Sequence, residues 1–313
     1  MSARRTVLVP DAHGLTALAG CPDLHPVRYD DADLPADALD AEIMVVTYTV
    51  VERATALMQR LPRLRLVQTL TAGTDVWHGR IPPGVLLSNA SGAGGGSTAE
   101  WVLAALLAVL REIPASVGDQ AAGRWNSRVT DTLDGKRVLI LGAGDVGRNV
   151  RARLLPFGAR VTMVARRPRP GVASIDTVGD LLGEHDVVIA ALPLTPGSRH
   201  LVDAPFLAAL PDGCVLVNAA RGELVDSAAL LAELRSGRLR AALDVTDPEP
   251  LPPDHPLWHA PGLLITPHLG GSTAGHGQRA WRVAAEQIAR YLSGAALPNL
   301  VETPMRGFPV DRG

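Results

Sequence analysis

Short apolar runs alternate with amphipathic stretches along most of the chain, which is the pattern of a parallel sheet flanked by helices. Segments of helical periodicity, such as residues 51–60, separate the first runs from one another. The first set of candidate strands consists of TVLVP (6–10), EIMVVTY (42–48), LRLVQTL (64–70) and VLLSN (85–89). This part of the chain is therefore predicted to form a small α/β unit.

A second series of apolar runs begins after Lys136. Helix-like stretches again lie between its members, so the series predicts a doubly wound parallel sheet of the Rossmann type. Its members are RVLILG (137–142), RVTMVA (160–165), DVVIAALP (186–193), CVLVNAA (214–220), RAALDVT (240–246) and LLITPH (263–268).

The chain is expected to cross between the two units twice. The segment SGAGGGST (91–98) interrupts the first series, and Ser97 or Thr98 can cap the apolar helix that begins near Glu100. A last amphipathic helix over 280–292 and the tail after it differ from the second series and are predicted to return to the first unit. The predicted domains are a discontinuous one (1–98 and 281–313) and an inserted one (99–280).

Length and composition limit the class of protein. A chain of 313 residues with 47% hydrophobic and 20% charged residues can bury a core and is expected to form two domains. The net charge of −2 and the aromatic content of 4% argue against a nucleic-acid partner. The longest apolar stretch, 101–110, is about half of a bilayer span, and the amino terminus lacks a signal-peptide apolar region. No membrane contact and a cytoplasmic location are expected.

Three residue types exclude further chemistry. Cys21 and Cys214 are the only cysteines, too few for a disulfide framework or a thiolate metal site, so both are expected to be reduced thiols. The single lysine, Lys136, lies just before a strand and offers neither a Schiff-base nor a phosphate-loop lysine. No pair among His268, His276, Glu249 and Asp244 has the helical spacing of a zinc motif, so no metal is expected.

A glycine-rich loop follows the first strand of the second series. Gly142, Gly144 and Gly147 occupy the three glycine positions of G-x-G-x-x-G, between the strand RVLIL and a helix-like run. The first glycine permits a tight turn, the second lets the main chain approach a pyrophosphate, and the third lets the helix pack on the strand. The motif predicts a dinucleotide site, with Asp145 and Val146 among its contacts, and disfavours the alternative of an ordinary strand-to-helix turn.

The end of the next strand bears on which dinucleotide is bound. An NAD site usually places an acidic side chain there, about twenty residues beyond the last glycine, to bind the ribose 2′-hydroxyl. This chain has Ala165, Arg166 and Arg167 instead. Because guanidinium groups bind a 2′-phosphate through charge-assisted hydrogen bonds, NADP is expected in preference to NAD. A solvated basic turn is the alternative interpretation, and NAD stays the alternative cofactor.

Three side chains far apart in the sequence follow strands of the second series. Arg221, Glu249 and His268 are placed where doubly wound sheets bind ligands, at the carboxyl ends of their strands. An imidazole can protonate a carbonyl oxygen as hydride arrives, a carboxylate can stabilise and orient the imidazolium, and a guanidinium can hold a 2-keto acid. Singly, each residue has a structural alternative: a helix cap, a solvated loop residue and a core histidine. Jointly, they predict reduction of a 2-keto acid.

The chain resembles the D-isomer-specific 2-hydroxyacid dehydrogenases, a family that includes glyoxylate/hydroxypyruvate reductases and phosphoglycerate dehydrogenases. The resemblance covers nearly the whole chain, and it implies a Rossmann cofactor domain inserted in a smaller flavodoxin-like α/β substrate domain. The stretches that carry it are LDGKRVLILGAGDVGR (133–148), LPLTPGSRHLVD (192–203), LPDGCVLVNAARGELVD (210–226), ALDVTDPEPLPPDHPLW (242–258) and LLITPHLGGST (263–273).

The resemblance also implies roles for single residues. The arginine of N-x-x-R-G falls on Arg221, the glutamate of DVxxxEP on Glu249 and the histidine of TPHxGG on His268. In the loop TAGTD, backbone N–H groups around Ala72 and Gly73 are expected to meet the substrate carboxylate. Besides the glycine loop, the expected cofactor contacts are Leu192, Pro193, Ala219, Asp244, His268 and Gly270.

The favoured function is an NADPH-preferring reductase of glyoxylate or hydroxypyruvate type that acts as a homodimer through the helix-rich crossing region. Two alternatives stay open. One is a dinucleotide-sensing, corepressor-like binding protein, and the other is a phosphite dehydrogenase. Glutamate rather than glutamine at position 249 argues against a formate dehydrogenase.

Overall fold

The computed structural model describes residues 4–29 and 35–301 and divides into two compact units. The first unit extends to Gly94 and resumes at Ala274, and the second comprises Gly95–Thr273. The sequence predicts these crossings at 98 and 280, four and seven residues later. The difference arises because the helices that follow the crossings begin at Gly95 and His276, ahead of their first apolar positions.

The first unit is built on a five-stranded parallel sheet in the order β2-β1-β3-β4-β5, which is the flavodoxin-like order. β2 is not among the predicted strands, because it lies at the edge of the sheet and contains Pro26, which breaks the apolar pattern and is tolerated only at such edges. The elements are β1 (Arg5–Val9), α1 (Ala12–Leu18), β2 (Leu24–Arg28), β3 (Ile43–Val46), α2 (Val51–Met58), β4 (Leu66–Thr69) and β5 (Leu86–Ser88).

Alternate residues of these strands face two apolar layers. Leu8, Met44 and Val67 lie in the layer that contains the buried Trp77. The opposite layer is completed by the last helix, His276–Leu292, through residues that include Trp281. The sheet is therefore covered on both faces, which explains why its strands read as continuous apolar runs.

The second unit is built on a seven-stranded parallel sheet in the order β12-β11-β10-β9-β6-β7-β8. This is the Rossmann order with one further strand, and every predicted strand of the second series is present; β8 is an additional two-residue strand. The strands are β6 (Arg137–Leu141), β7 (Arg160–Ala165), β8 (Ala173–Ser174), β9 (Val187–Ala190), β10 (Val215–Asn218), β11 (Arg240–Leu243) and β12 (Leu263–Ile265).

Helices cover both faces of this sheet. The apolar residues of the first helix pack on β6, β9 and β10 in a single buried cluster. The helices are α3 (Gly95–Leu110), α4 (Ile113–Ala121), α5 (Asp145–Leu154), α6 (Ala204–Ala208) and α7 (Ser227–Arg235), and α8 (His276–Leu292) follows in the first unit. Within 4–29 and 35–301, no single helix is long and apolar enough to cross a membrane; α3 and α4 reach that length and composition only as a pair bent by 65°.

Candidate active site

The glycine loop after β6 has a backbone that only glycine fits at two of its three positions. Gly142 has a φ of +117°, and a Cβ on it would contact the carbonyl of Ala191. A Cβ on Gly147 would contact the carbonyl oxygen of Gly142, so the start of α5 could not lie as close to the loop. A Cβ on Gly144 would meet nothing within 4 Å. Packing does not require the middle glycine, and the open space beside it fits a ligand approaching the main chain.

Asp145 begins α5, and Val146 follows it in the first turn. The Asp145 carboxylate accepts a hydrogen bond from Asn149 Nδ2 at 3.0 Å. It also lies against the start of α3, where a Cβ on Gly95 would contact it. The N-terminus of a helix carries a partial positive charge that stabilises a nearby carboxylate. The Asp145 side chain, which belongs to α5, therefore makes a favourable contact with the start of α3. Its contribution to a dinucleotide site would come from its main chain.

Arginines surround the glycine loop on the side of β7. Arg166 and Arg167 are exposed and directly follow the end of β7. Arg169 donates to the carbonyl oxygen of Ala143 at 2.8 Å and to that of Arg167 at 3.4 Å, and Arg148 also donates to Ala143, at 3.1 Å. Arg169 therefore ties the basic loop to the glycine loop. The run RRPR is the only sequence signal for this contact.

Glu249 and His268 meet in the structure. His268 Nδ1 lies 2.7 Å from Glu249 Oε1, and both side chains are a little under half exposed. His268 has a φ of +55°, an uncommon conformation for a residue other than glycine. Arg221 follows β10, and its guanidinium donates to the carbonyl oxygen of Ala220 at 2.7 Å. Since β10, β11 and β12 are neighbours, the three residues lie along one edge of the sheet.

Asp244 holds the loop that carries His268. It is 3% exposed, and its carboxylate accepts hydrogen bonds from Thr266 Oγ1 at 2.6 Å and from the N–H groups of Leu269 and Gly270, both at 2.7 Å. Its carbonyl oxygen accepts from the N–H of His268 at 2.8 Å. A Cβ on Gly270 would come within 2.9 Å of the same carboxylate. Asp244 and Gly270 are expected cofactor contacts, and the hydrogen bond between them holds the loop that carries His268.

Asn218 shapes the turn between β10 and Arg221, a role that the sequence analysis did not assign. It is fully buried, its amide donates to the carbonyl oxygen of Arg221 at 2.8 Å, and its side-chain oxygen accepts from the N–H of Ala220 at 3.1 Å. Leu192 and Pro193 follow β9, which pairs with β6, and Ala219 follows β10, the next strand along the sheet. These expected cofactor contacts thus share the carboxyl edge with the glycine loop.

In the first unit, side chains hold the loop TAGTD by its carbonyl oxygens. Gly73 accepts from Tyr48 Oη and from Thr71 Oγ1, both at 3.0 Å, and Ala72 accepts from Asn89 Nδ2 at 3.0 Å. The N–H groups of Ala72 and Gly73 make no hydrogen bond to another residue that the structure describes. The loop is therefore fixed in place with two donors available, which suits a carboxylate.

The remaining candidate groups lie outside these two edges. Burial raises the pKa of the Cys214 thiol to about 12, so this cysteine is an unreactive core residue, whereas Cys21 is partly exposed. Across the described part of the chain, no group of three or more histidine, cysteine, aspartate or glutamate side chains could hold a metal ion.

The Rossmann strand order, the three-glycine loop and the carboxyl-edge residues define a dinucleotide-binding protein. The sequence model of the D-isomer specific 2-hydroxyacid dehydrogenase, NAD binding domain, matches residues 103–270. The chain is 34% identical over 310 residues to D-3-phosphoglycerate dehydrogenase of Mycobacterium bovis, covering 94% of this chain and 58% of that one. The chain belongs to the D-isomer specific 2-hydroxyacid dehydrogenase family. It spans 58% of the length of such mycobacterial relatives.

Other relatives match along most of their length. The human glyoxylate reductase/hydroxypyruvate reductase is 28% identical over 310 residues, covering 92% of this chain and 94% of that one. A D-isomer specific 2-hydroxyacid dehydrogenase from Xanthobacter autotrophicus Py2, solved with NADPH and MES, has a TM-score of 0.82 at 30% identity, covering 96% of this chain and 99% of that one. The NADPH-dependent glyoxylate/hydroxypyruvate reductase of Sinorhizobium meliloti, solved with NADP and sulfate, has a TM-score of 0.80 at 29% identity, with the same coverage.

Proposed function

We propose that this protein is a reductase that uses NADPH to convert a small 2-keto acid, of the glyoxylate or hydroxypyruvate type, into its D-2-hydroxy acid. The observation that carries the proposal is the 2.7 Å contact between His268 and Glu249, on the sheet edge that also carries Arg221. Membership of the family, and relatives named as glyoxylate and hydroxypyruvate reductases, support it.

The proposed chemistry assigns one task to each residue. Bound NADPH supplies the hydride that adds to the carbonyl carbon. Arg221 holds the keto acid and polarises its carbonyl with a charge that it cannot lose. His268 donates a proton to the carbonyl oxygen from Nε2, since its Nδ1 contacts Glu249. The Glu249 carboxylate stabilises the protonated ring before the transfer and keeps it oriented.

In the first unit, we propose that the loop after β4 binds the substrate carboxylate through the N–H groups of Ala72 and Gly73. Support comes from the three side chains that hold the carbonyl oxygens of this loop and leave its N–H groups available. A main-chain site of this kind recognises the carboxylate common to all 2-keto acids and selects weakly among their other substituents.

The proposed preference for NADPH rests on Arg166 and Arg167, with Arg169 holding their loop against Ala143. Guanidinium groups at this position bind a 2′-phosphate, and two related structures contain NADPH or NADP. Comparing kcat/KM for NADPH and NADH tests the preference. A higher value with NADPH is expected, and an equal or higher value with NADH would overturn it.

The activity is tested by a panel of 2-keto acids incubated with NADPH or NADH while oxidation of the reduced cofactor is followed by absorbance. Turnover of glyoxylate or hydroxypyruvate is expected. No oxidation with any acid would favour the corepressor-like alternative. Reduction of NAD or NADP by phosphite, without turnover of keto acids, would instead identify a phosphite dehydrogenase.

We further propose that the protein forms a homodimer, in the cytoplasm, through α4 and the segment after it. Ile113 and Val117 are 50% and 58% exposed, and Trp125 and Val129 are 99% and 98% exposed. Asp119 contacts both Arg124 and Arg128 and so holds this segment in shape; the hydrogen bond from Arg124 is the main cause that lowers the pKa of its carboxyl. Exposed apolar side chains that are held in one conformation are typical of a surface that binds another protein. We expect a second copy of the chain to bury them.

Analytical ultracentrifugation of the protein and of a Trp125→Ser variant tests the dimer. The unaltered protein is expected to sediment as a dimer, and the variant is expected to dissociate at a higher protein concentration. A monomer at all concentrations would contradict the proposal.

A further inference from the structure

The loop after β11 carries Glu249. Two contacts hold the middle of this loop, and none of the sequence motifs described above assigns either contact. The turn after Arg221 lies against this loop so closely that a Cβ on Gly222 would contact the carbonyl oxygen of Thr246. Only glycine allows the two main chains to approach this far. The turn after Arg221 therefore supports the loop by packing against it. Packing between two main chains does not fix the orientation of the loop.

Ser227 supplies the directed contact. Its Oγ donates to the carbonyl oxygen of Asp247 at 3.0 Å, two residues before Glu249. The position of this hydroxyl is fixed by the helix, because Ser227 is the first residue of α7. Asp226 caps this helix by accepting from the N–H groups of Ala228 at 2.9 Å and Ala229 at 3.0 Å. The helix start thus presents one hydroxyl to the loop from a fixed position.

The charged neighbours of the loop hold it less firmly. The Asp247 carboxylate lies 3.9 Å from Arg199 and 4.0 Å from His200, and Arg199 lies 3.9 Å from Glu223. Arg199 and His200 are about half exposed, and ion pairs that are this long and this exposed contribute little. Among the hydrogen bonds and ion pairs that the described residues make to Asp247 from outside the loop, the bond from the Ser227 hydroxyl is the shortest.

We propose that Ser227 is a positioning residue: by holding the carbonyl of Asp247, it keeps the Glu249 carboxylate at His268 Nδ1. The inference rests on the proposed function. The strength of a charge-assisted hydrogen bond depends on its distance and direction. A small movement of the loop would therefore weaken the bond between Glu249 and His268 while both side chains remain present. A weaker carboxylate contact stabilises the protonated imidazole less, so the ring becomes a poorer proton donor for the substrate.

The test compares Ser227→Ala with Ser227→Thr, which keeps the hydroxyl, and with Ser236→Ala as the matched control. Ser236 lies just after the other end of α7 and also donates to a backbone carbonyl, that of Glu233, at 2.9 Å. For each variant, kcat/KM for glyoxylate with NADPH is measured across the pH range in which reductase activity declines, together with the Tm.

In Ser227→Ala, the decline of kcat/KM at alkaline pH is expected to begin at lower pH. The loss is expected to be roughly three- to tenfold on the alkaline side of the profile and less than about twofold on its acid side. Ser227→Thr is expected to restore the profile, and Ser236→Ala is expected to leave it unchanged. A shift of the profile does not follow from a mere loss of stability.

Glu249→Gln separates failure of this inference from failure of the proposed function. If Glu249→Gln moves the pH profile and Ser227→Ala does not, the role of Ser227 is wrong and the proposed function stands. An equal loss of kcat/KM at every pH in Ser227→Ala, with a lower Tm, would also overturn the positioning role. If the unaltered protein reduces no 2-keto acid, the proposed function itself fails.

Discussion

The carboxyl edges of the two sheets present polar groups in opposite ways. On the seven-stranded sheet, side chains contact one another: Glu249 meets His268, and Asp244 holds the loop that carries this histidine. On the five-stranded sheet, Tyr48 and Asn89 hold carbonyl oxygens and leave main-chain N–H groups available. The first arrangement suits proton transfer and the second suits binding of an anion. Substitutions at the two edges are therefore expected to affect different kinetic constants.

The largest effect on kcat is expected from substitution of His268, the proposed proton donor. His268→Ala should lower kcat for keto-acid reduction by about 10²- to 10⁴-fold, the range found when a general acid is removed. Steady-state kinetics measures this constant. His259→Ala is the control, since this exposed histidine ends the short 3-10 helix before β12. Retention of kcat within about tenfold in His268→Ala would show that another group donates the proton.

Asp244→Asn tests whether the loop around His268 needs its carboxylate. Two N–H groups and one hydroxyl donate to this buried side chain, and an amide can accept at only one of its two terminal atoms. The free energy of unfolding should fall by about 1–3 kcal/mol, the cost of a buried donor without a partner. A displaced His268 should lower kcat by up to about 10²-fold. Denaturant unfolding and kinetics measure the two effects, and an unchanged stability would contradict this role of Asp244.

A smaller effect, on binding rather than on turnover, is expected at the first unit. Tyr48→Phe removes one of the two hydroxyl groups that hold the carbonyl oxygen of Gly73. KM for the keto acid should rise by about two- to tenfold, as for loss of one hydrogen bond, while kcat stays within about twofold. Tyr291→Phe, in the same unit, is the control. A fall in kcat with unchanged KM would reverse the proposed division between the two edges.

The smallest effects concern stability, and they should have opposite pH dependence in the two units. Burial, with the hydrogen bond to Glu42, raises the pKa of Tyr291 in the first unit to about 12. The fold thus favours the protonated phenol, and its contribution should be lost as the pH rises from about 10 through the folded value. Thermal melts of Tyr291→Phe beside the unaltered protein should show a difference in Tm that shrinks above about pH 10.

In the second unit, the corresponding group is Asp131. Burial acts to raise the pKa of this carboxyl, but hydrogen bonds and charge from Lys136, with further bonds from Thr132 and Arg240, lower it overall. Its contribution is present above the ordinary value and should be lost as the pH falls below about 4. The Tm difference between Asp131→Asn and the unaltered protein should shrink in acid. A difference that is constant with pH would contradict the assignment.

The fold was predictable where strands are buried on both faces. β6, β9 and β10 read as continuous apolar runs because helices cover both sides of their sheet. β2 was missed because an edge strand buries less and tolerates Pro26. The predicted crossings lie a few residues after the boundaries of the two units, because α3 and α8 begin with glycine or polar residues that carry no apolar signal.

The residue types of the candidate site could be predicted from the amino-acid sequence. Glycine spacing and the strand-end positions of Arg221, Glu249 and His268 are local properties, since each motif lies within a few residues of its own strand. The contacts that hold these groups are visible only in the fold: the Asp244 carboxylate binds the loop that carries His268, Ser227 donates to Asp247, and Gly95 lies against Asp145. These contacts join segments about 20 to 50 residues apart. The packing of helices and strands determines which residues meet in these contacts. The hydrophobic periodicity of a single segment does not encode that packing.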